Sequence, residues 1–430
     1  MAQNVVLCLD GTNCEFGTAN TNVVRVLQSL NRDVQKVYYD PGVGTLPDPR
    51  MFTKIGKTIT EAIDLAFAMG LQAKVMQAYQ YLMQHWEPGD TVFMFGFSRG
   101  AYTARVLAGM LHLFGLLPRG NEHLVHYVMR LYGGSRHRKL ESDDNKTDLD
   151  DRYWKLCNGF REAVARRTTS PQRRFPVHFL GLWDTVSSVG WVWSPLSYPF
   201  TRENESVAVV RHAISIDESR AFFRQNCFKV GKLPAGQDCQ EYWFPGCHAD
   251  VVGGHEPGNS HLGMVTFDWM IREAKLHDLE IDEQRLRAVR EPDPEKPLPE
   301  NLWNEPMVES LTGAWHLAEF FPKQHYVKEA DGYRYYPNLY RPRTIHKGAL
   351  IHKSALLRVK AEKTEKGEQY RPRNFSPAFI ERILQLSEIP ETLALDNGDW
   401  KYSLSRFAKP IVRSRGDVPG DGVGGLIPAQ

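Results

Sequence analysis

The sequence predicts an α/β fold built on a mostly parallel sheet with helices on both faces. Three observations predict it. Short apolar runs that end in turn residues alternate with segments of helical spacing, the signature of strand–helix–strand units. One of these runs, Thr91–Ser98, is apolar on both faces, as a central strand covered from both sides requires. A G-x-S-x-G pattern, Gly96-Phe97-Ser98-Arg99-Gly100, stands where that strand gives way to a helix.

In chain order, Val5–Leu9 is an apolar run stopped by Asp10-Gly11-Thr12, which reads as a buried strand with a sharp turn at its end. Thr21–Leu30 places Val23, Val24, Leu27 and Leu30 on one helical face. Val37–Tyr39 is the next strand, leading into Asp40-Pro41-Gly42-Val43-Gly44. No P-loop lysine follows that loop, so it does not read as a phosphate cradle. A helix from about Ile59 to Trp86 closes on the turn Glu87–Asp90, ahead of the central strand and a helix over Ala101–Leu116. Asn121–Arg174 carries Arg136–Lys139, Asp143-Asp144 and Asp148–Asp151 and reads as a solvated, partly mobile insertion. Val177–Trp183 and Glu241–Phe244 are further strands, ended by Asp184-Thr185 and by Gly246-Cys247-His248. Arg290–Asn301, with Pro292, Pro294, Pro297 and Pro299 among charges, reads as a linker. Arg341–Arg373 sets ten Lys/Arg against three acids, a solvated face by default, with an anionic partner surface as the alternative. The Gly-rich Gly416–Gln430 reads as a flexible tail.

Composition narrows the function classes. With 42% hydrophobic and 24% charged residues over 430, the chain is neither disordered nor fibrous. Its formal charge of +2 provides no excess for a polyanion, so no nucleic-acid partner is expected. No apolar run approaches the ~18 residues of a membrane span, and the start of the chain lacks the pattern of a secretory signal. Cys8, Cys14, Cys157, Cys227, Cys239 and Cys247 show no CxxC spacing and read as reduced thiols. The expected location is cytoplasmic as synthesised, with signal-less export left open.

The chemistry starts at Ser98. In a G-x-S-x-G turn between strand and helix, small flanking residues let the two elements approach, and the serine stands exposed at the strand end. A serine hydroxyl needs a base, and the base an orienting carboxylate. Parallel strands deliver their C-terminal ends to one edge of the sheet. Asp184 and His248, each just past a strand, are therefore the acid and base in the expected order. His212 and His255 are rivals for the base, and Asp217 for the acid; Asp250 reads better as a prop for the histidine loop. A tetrahedral oxyanion needs two aimed backbone N–H groups; Arg99 supplies one, and the Gly11-Thr12 turn suits the other. Trp191 and Trp193, in the aromatic stretch Val186–Phe200, line a pocket or lid, or else pack the core.

Leu9–Thr12, Thr21–Val23, Tyr39–Thr45, Gly89-Asp90, Phe95–Arg105, Trp183–Val186, Arg211–Glu218 and Trp243–Val251 together resemble the α/β-hydrolase domain family known as domain of unknown function 2235, which includes the catalytic domain of type VI secretion phospholipase effectors. The resemblance covers about residues 4–270 and, more weakly, 351–354. It implies Ser98 as nucleophile, Asp184 as acid and His248 as base.

The expected protein is an α/β-hydrolase-like domain over residues 1–285, carrying the charged insertion at about 121–174. A C-terminal extension over 286–415 packs on it, and a tail follows over 416–430. The expected reaction is cofactor-free hydrolysis of a carboxylic ester, favouring lipid or phospholipid acyl esters, with peripheral membrane contact as a corollary. Two alternatives stand beside it. One is a metal-dependent hydrolase using His248, Asp250 and His255; the other is a hydrolase-like module that only binds.

Overall fold

The structure, a computed structural model, describes residues 2–395 apart from 12–16, 18, 43–56, 135–145, 169–172, 187–197, 221–222, 229–233, 235, 256–260, 292–294, 296, 314, 321, 328–331 and 362–368. Along the chain run β1 (Asn4–Leu9), α1 (Asn22–Ser29), β2 (Gln35–Asp40), α2 (Lys57–His85), β3 (Thr91–Phe97), α3 (Arg99–Phe114), α4 (Val125–Gly134), α5 (Lys146–Val164) and β4 (Val177–Trp183). Then come β5 (Val207–Ser215), β6 (Asp238–Phe244), α6 (His248–Val252), α7 (Leu262–Lys275) and α8 (Glu283–Arg290). The last stretch holds α9 (Trp315–Ala318), β7 (Pro322–Val327), β8 (Gly332–Pro337), β9 (Leu350–His352), α10 (Lys353–Lys360), α11 (Pro377–Gln385) and β10 (Thr392–Ala394).

The main sheet has the order β10-β9-β6-β5-β4-β3-β1-β2. Its neighbouring strands are parallel, apart from the antiparallel pair β9–β10. Strand side chains alternate between faces, and β1 shows the consequence. Val5, Leu7 and Leu9 join Tyr79, Leu82, Leu107 and Leu111 of α2 and α3 in one core. Val6 and Cys8 join Val23 of α1 and Phe267 and Met270 of α7 in the other. The sheet is thus covered on both faces, as an α/β fold requires. Because β1, β3, β4, β5 and β6 run parallel, their C-terminal ends lie along one edge.

Four features differ from the sequence reading. The solvated insertion is in part core: Val125, Val128, Met129 and Tyr132 of α4, and Tyr153 and Cys157 of α5, are buried against α2 and α3. Their helical spacing was masked by the charges on the opposite faces. Strand β5 was not separated from its neighbours, since Arg211 and His212 break its apolar run. Both are nevertheless buried: Arg211 pairs with Glu273 and Asp238, and His212 with Glu241. Strand β9 spans three residues, too few to show a period. It pairs with β6 and carries the sheet into the C-terminal residues, where Ile351, Leu356, Phe379 and Leu393 pack against Ile214 and Trp243. Finally, the basic stretch is not uniformly a solvated face, because Arg343 and Arg358 within it are buried. The tail over 416–430 lies outside the described residues.

Candidate active site

Ser98 sits between β3 and α3 with φ 56° and ψ −118°. A non-glycine residue in this region is strained and has to be held by its surroundings. The neighbouring glycines show how. A Cβ on Gly96 would lie 2.7 Å from Ala101 Cα, and one on Gly100 would run into the backbone oxygens of Leu9 and Asp10. The helix can start this close to the ends of β1 and β3 only without those atoms. The Ser98 N–H donates to Trp183 O (2.9 Å), which ties the turn to the end of β4.

Asp184 follows β4 directly, also at positive φ (41°). Its N–H donates to Ala213 O of β5 (2.7 Å). Its carboxylate is fully buried and accepts from the Ser215 N–H (3.0 Å) and Oγ (3.2 Å). His248 Nδ1 lies 2.5 Å from Asp184 Oδ2, and His248 Nε2 lies 2.9 Å from Ser98 Oγ. Arg343 closes the far side, Nη1 donating to Oδ1 (2.6 Å) and Nη2 to Oδ2 (2.9 Å), a bidentate charge-assisted pair.

Burial pushes the Asp184 carboxyl upward, but the Arg343 guanidinium and the His248 hydrogen bond outweigh it and hold the group far below the usual carboxylate range. Asp184 is therefore anionic and can only accept. It follows that Nδ1 of neutral His248 carries the proton and that Nε2 is left to accept from Ser98. Burial drives the His248 pKa below its ordinary value, and Asp184 opposes this only in part. The neutral, proton-accepting imidazole is thus the form favoured near neutral pH. The rings of Phe97 and Phe223 flank His248 at 4.7 and 4.8 Å. Trp315 lies against Phe223, and the Arg220 guanidinium sits over Phe223.

The loop after β6 is braced from below. The His248 N–H donates to Glu218 Oε2 (3.2 Å). Asp250 accepts from the Cys247 N–H (2.9 Å) and the Val308 N–H (3.2 Å), and lies 3.0 Å from His255 Nε2. Asp250 is thus a prop, and His255 is directed to it rather than to Ser98. His212, the other rival base, lies against Glu241 (2.8 Å) and accepts from the Thr185 N–H (3.1 Å). Asp217, the rival acid, accepts from the Gly246 N–H and the Tyr370 hydroxyl (both 2.7 Å), and burial raises its pKa to about 6.

Arg99 opens α3 immediately after Ser98, so its backbone N–H lies at the positive end of that helix. The Gly11 N–H, expected at the oxyanion, donates to Asp10 Oδ1 (2.8 Å). Thr12, Trp191 and Trp193 lie outside the described residues. Among the described residues no group of three or more His, Cys, Asp or Glu could hold a metal ion. No helix among them is long and apolar enough to cross a membrane.

A family model described as the catalytic domain of Tle1-like phospholipase effectors of the type VI secretion system matches residues 3–273. The chain belongs to that family. An uncharacterised protein of Saccharomyces cerevisiae is 37% identical over 234 residues, which are 53% of this chain and 33% of that protein. The chain therefore spans about a third of this curated relative. Among solved structures, an uncharacterised protein from Pseudomonas aeruginosa aligns with TM-score 0.39 and 19% identity, over 70% of this chain and 49% of that one. A Tle1 effector bound to the VgrG spike of the type VI secretion system aligns with TM-score 0.31 and 16% identity, over 61% of this chain and 52% of that one.

Sequence reasoning missed several partners of the Tle1-like site: Ser215, Glu218, Phe223 and Arg343. Glu218 closes a motif already singled out, Arg211–Glu218, and a role there was open to inference. Arg343 lies 159 residues from Asp184, inside a basic stretch, and nothing local distinguishes it from its neighbours.

Proposed function

We propose that this Tle1-like chain is a serine hydrolase that cleaves carboxylic esters, with acyl esters of lipids or phospholipids as its substrates. One observation carries the reading: the unbroken hydrogen-bond chain from Ser98 Oγ through His248 to a buried, anionic Asp184. In the proposed reaction, Ser98 Oγ adds to the ester carbonyl carbon while His248 Nε2 takes its proton. Asp184 stabilises the imidazolium that forms. His248 then returns the proton to the departing alcohol oxygen, leaving an acyl-Ser98. Water, deprotonated by the same imidazole, releases the acid and restores Ser98. The oxyanion would be met by the Arg99 N–H and by a second donor from the Thr12 turn, each contributing about 3–4 kcal/mol. As written, the reaction needs no cofactor or metal.

The lipid assignment is supported by the family description and by the Phe97 and Phe223 rings on His248, with Trp315 against Phe223, which suit an acyl chain better than a polar substrate. Trp191 and Trp193 would add to that wall or close over it. A lipid substrate entails peripheral membrane contact, and family membership favours export as an effector without a cleaved signal. Residues 1–285 would form the hydrolase-like domain, with 286–415 as an extension packed on it.

The test is to incubate phospholipid vesicles with wild type and with Ser98→Ala, with and without EDTA, and to follow released fatty acid together with labelling by a fluorophosphonate. Wild type should release fatty acid, be labelled at Ser98 and resist EDTA. The Ala variant should lose about 10⁴-fold or more in kcat. Labelling at another residue, or EDTA-sensitive turnover that Zn²⁺ or Ca²⁺ restores, would overturn the assignment.

A further inference from the structure

We propose that Arg343, which lies beyond the family-matched residues, is a positioning residue of the hydrolytic site: its guanidinium neutralises Asp184 and so sets the pH range over which His248 can take the Ser98 proton. The inference rests on the triad reading and adds to it a group that the catalytic-domain match, ending at residue 273, does not contain.

The geometry joins Arg343 to both ends of the His248 environment. Two of its nitrogens hold the two oxygens of Asp184, at 2.6 and 2.9 Å. The same guanidinium donates to Ser215 Oγ (2.7 Å), itself an Asp184 donor, and through Nε to Phe223 O (3.0 Å). The Phe223 ring packs on His248 at 4.8 Å. One side chain therefore fixes the carboxylate that orients the imidazole and the ring that covers it.

The approach to Arg343 is built at a cost in backbone strain. Leu339 and Tyr340, neither of them glycine, stand at φ 48° and 62°, a region such residues adopt only when held. The buried Glu319 carboxylate holds them, accepting from Asn338 Nδ2 (2.7 Å) and the Tyr340 N–H (3.2 Å). Beyond the turn, Asn374 Nδ2 donates to Arg343 O (3.3 Å) and Ile216 O (2.9 Å), which ties the segment to the end of β5. Strain of this kind persists only where the surroundings hold it, and the held turn leads directly into Arg343.

The charged groups around His248 are Asp184, Glu218 and Arg220, and Arg343 stands behind Asp184. Asp184 faces Nδ1. Glu218 holds the His248 N–H but is itself paired with Arg220 (2.8 Å), so these two charges largely cancel. Phe97 and Phe223 contribute rings and Ser98 a hydroxyl. An Asp184 charge left uncompensated in this buried site would hold the proton on His248 more firmly and keep the base protonated to higher pH. The Arg343 charge opposes that. The site keeps an oriented carboxylate without giving up its neutral base.

The experiment follows the rate of fluorophosphonate labelling against pH in full-length wild type, Arg343→Gln and Arg343→Lys, with stability measured on Arg343→Gln, Asp184→Asn and the double variant. Arg343 has the same sign as the imidazolium that forms on His248 and offsets the Asp184 charge, so its removal raises the pH at which His248 loses its proton, by about one unit. Arg343→Gln should therefore shift the acidic limb upward by about that much and lower the plateau, whereas Arg343→Lys keeps the limb in place with a lower plateau. A folded Arg343→Gln whose limb does not move overturns the proposal, since a merely structural arginine would lower the plateau alone. Should Arg343→Gln fail to fold, the added Asp184→Asn is expected to restore folding, because the stranded carboxylate is then gone; a double variant that also fails to fold overturns the proposal. The stability cycle reads the Arg343–Asp184 pair whatever the reaction. Loss of wild-type labelling at Ser98, with the cycle intact, would therefore refute the triad reading and not the pairing.

Discussion

Replacing Asp184 with Asn keeps the shape of the side chain and removes its charge, so the result can be worked from the contacts around it. The carboxylate accepts from His248 Nδ1, from two Arg343 nitrogens and from Ser215 N–H and Oγ. Arg343 is buried and paired there. An amide has one acceptor oxygen and no charge, so in either orientation its NH₂ meets one Arg343 nitrogen and the buried cation loses its counter-charge, a loss of about 3–5 kcal/mol. With the NH₂ in the Oδ2 position it also faces His248, forces Nδ1 to accept and puts the proton on Nε2, where Ser98 needs an acceptor. In a Ser–His–Asp arrangement that tautomer lowers kcat by about 10⁴-fold. Chemical denaturation and the rate of fluorophosphonate labelling at Ser98 measure the two effects separately. The expected result is a large loss in both. A surface Asp→Asn exchange would stay within about 0.5 kcal/mol. A folded Asp184→Asn that labels near the wild-type rate would refute the reasoning from orientation and charge.

Further outcomes follow from the same contacts. His248→Ala should slow labelling about 10³-fold or more, while His255→Ala, which removes only a partner of Asp250, should keep most of the rate; the reverse pattern in two folded variants, checked by circular dichroism, would move the base to His255. The His248 pKa is depressed from 6.5 by burial, so the labelling rate should rise with pH through a limb that lies below 6.5. The same sign holds for stability: above 6.5 the His248 contribution is constant, and below it the unfolded chain binds the proton more readily than the native one, so stability falls with pH until the folded pKa is reached. Substituting His248 by Gln should flatten that fall, measured by denaturation between the two ends of the range. Gly100→Ala puts a methyl group against the Leu9 and Asp10 carbonyls, and overpacking of this kind costs about 1–3 kcal/mol or more; denaturation midpoints near wild type would mean that the helix can start farther from β1 than the structure has it.

The local features of the site were legible because they are local. A strand stopped by Gly96-Phe97-Ser98-Arg99-Gly100 and followed by helical spacing allows few backbone paths, and the structure has Ser98 in the strained turn those residues imply. The strand-end positions of Asp184 and His248 could be read from turn residues, since parallel strands bring their C-terminal ends to one edge. The sequence alone therefore determined the sheet edge, the serine turn and the order in which Asp184 and His248 arrive at that edge. What it could not determine was who compensates a buried charge. Arg343 and Arg341 are two residues apart in the same basic stretch, yet Arg343 is buried on Asp184 while Arg341 keeps more exposure. Likewise Val125, Val128 and Tyr132 read as part of a charged insertion until their neighbours on α2 and α3 were in place. Burial is a property of the partner surface as much as of the residue, and partners 159 residues apart, as Asp184 and Arg343 are, leave no trace in local spacing. The tertiary structure alone decides that the segment after residue 273 reaches back into the site, where the Arg343 guanidinium meets a buried carboxylate that needs a counter-charge.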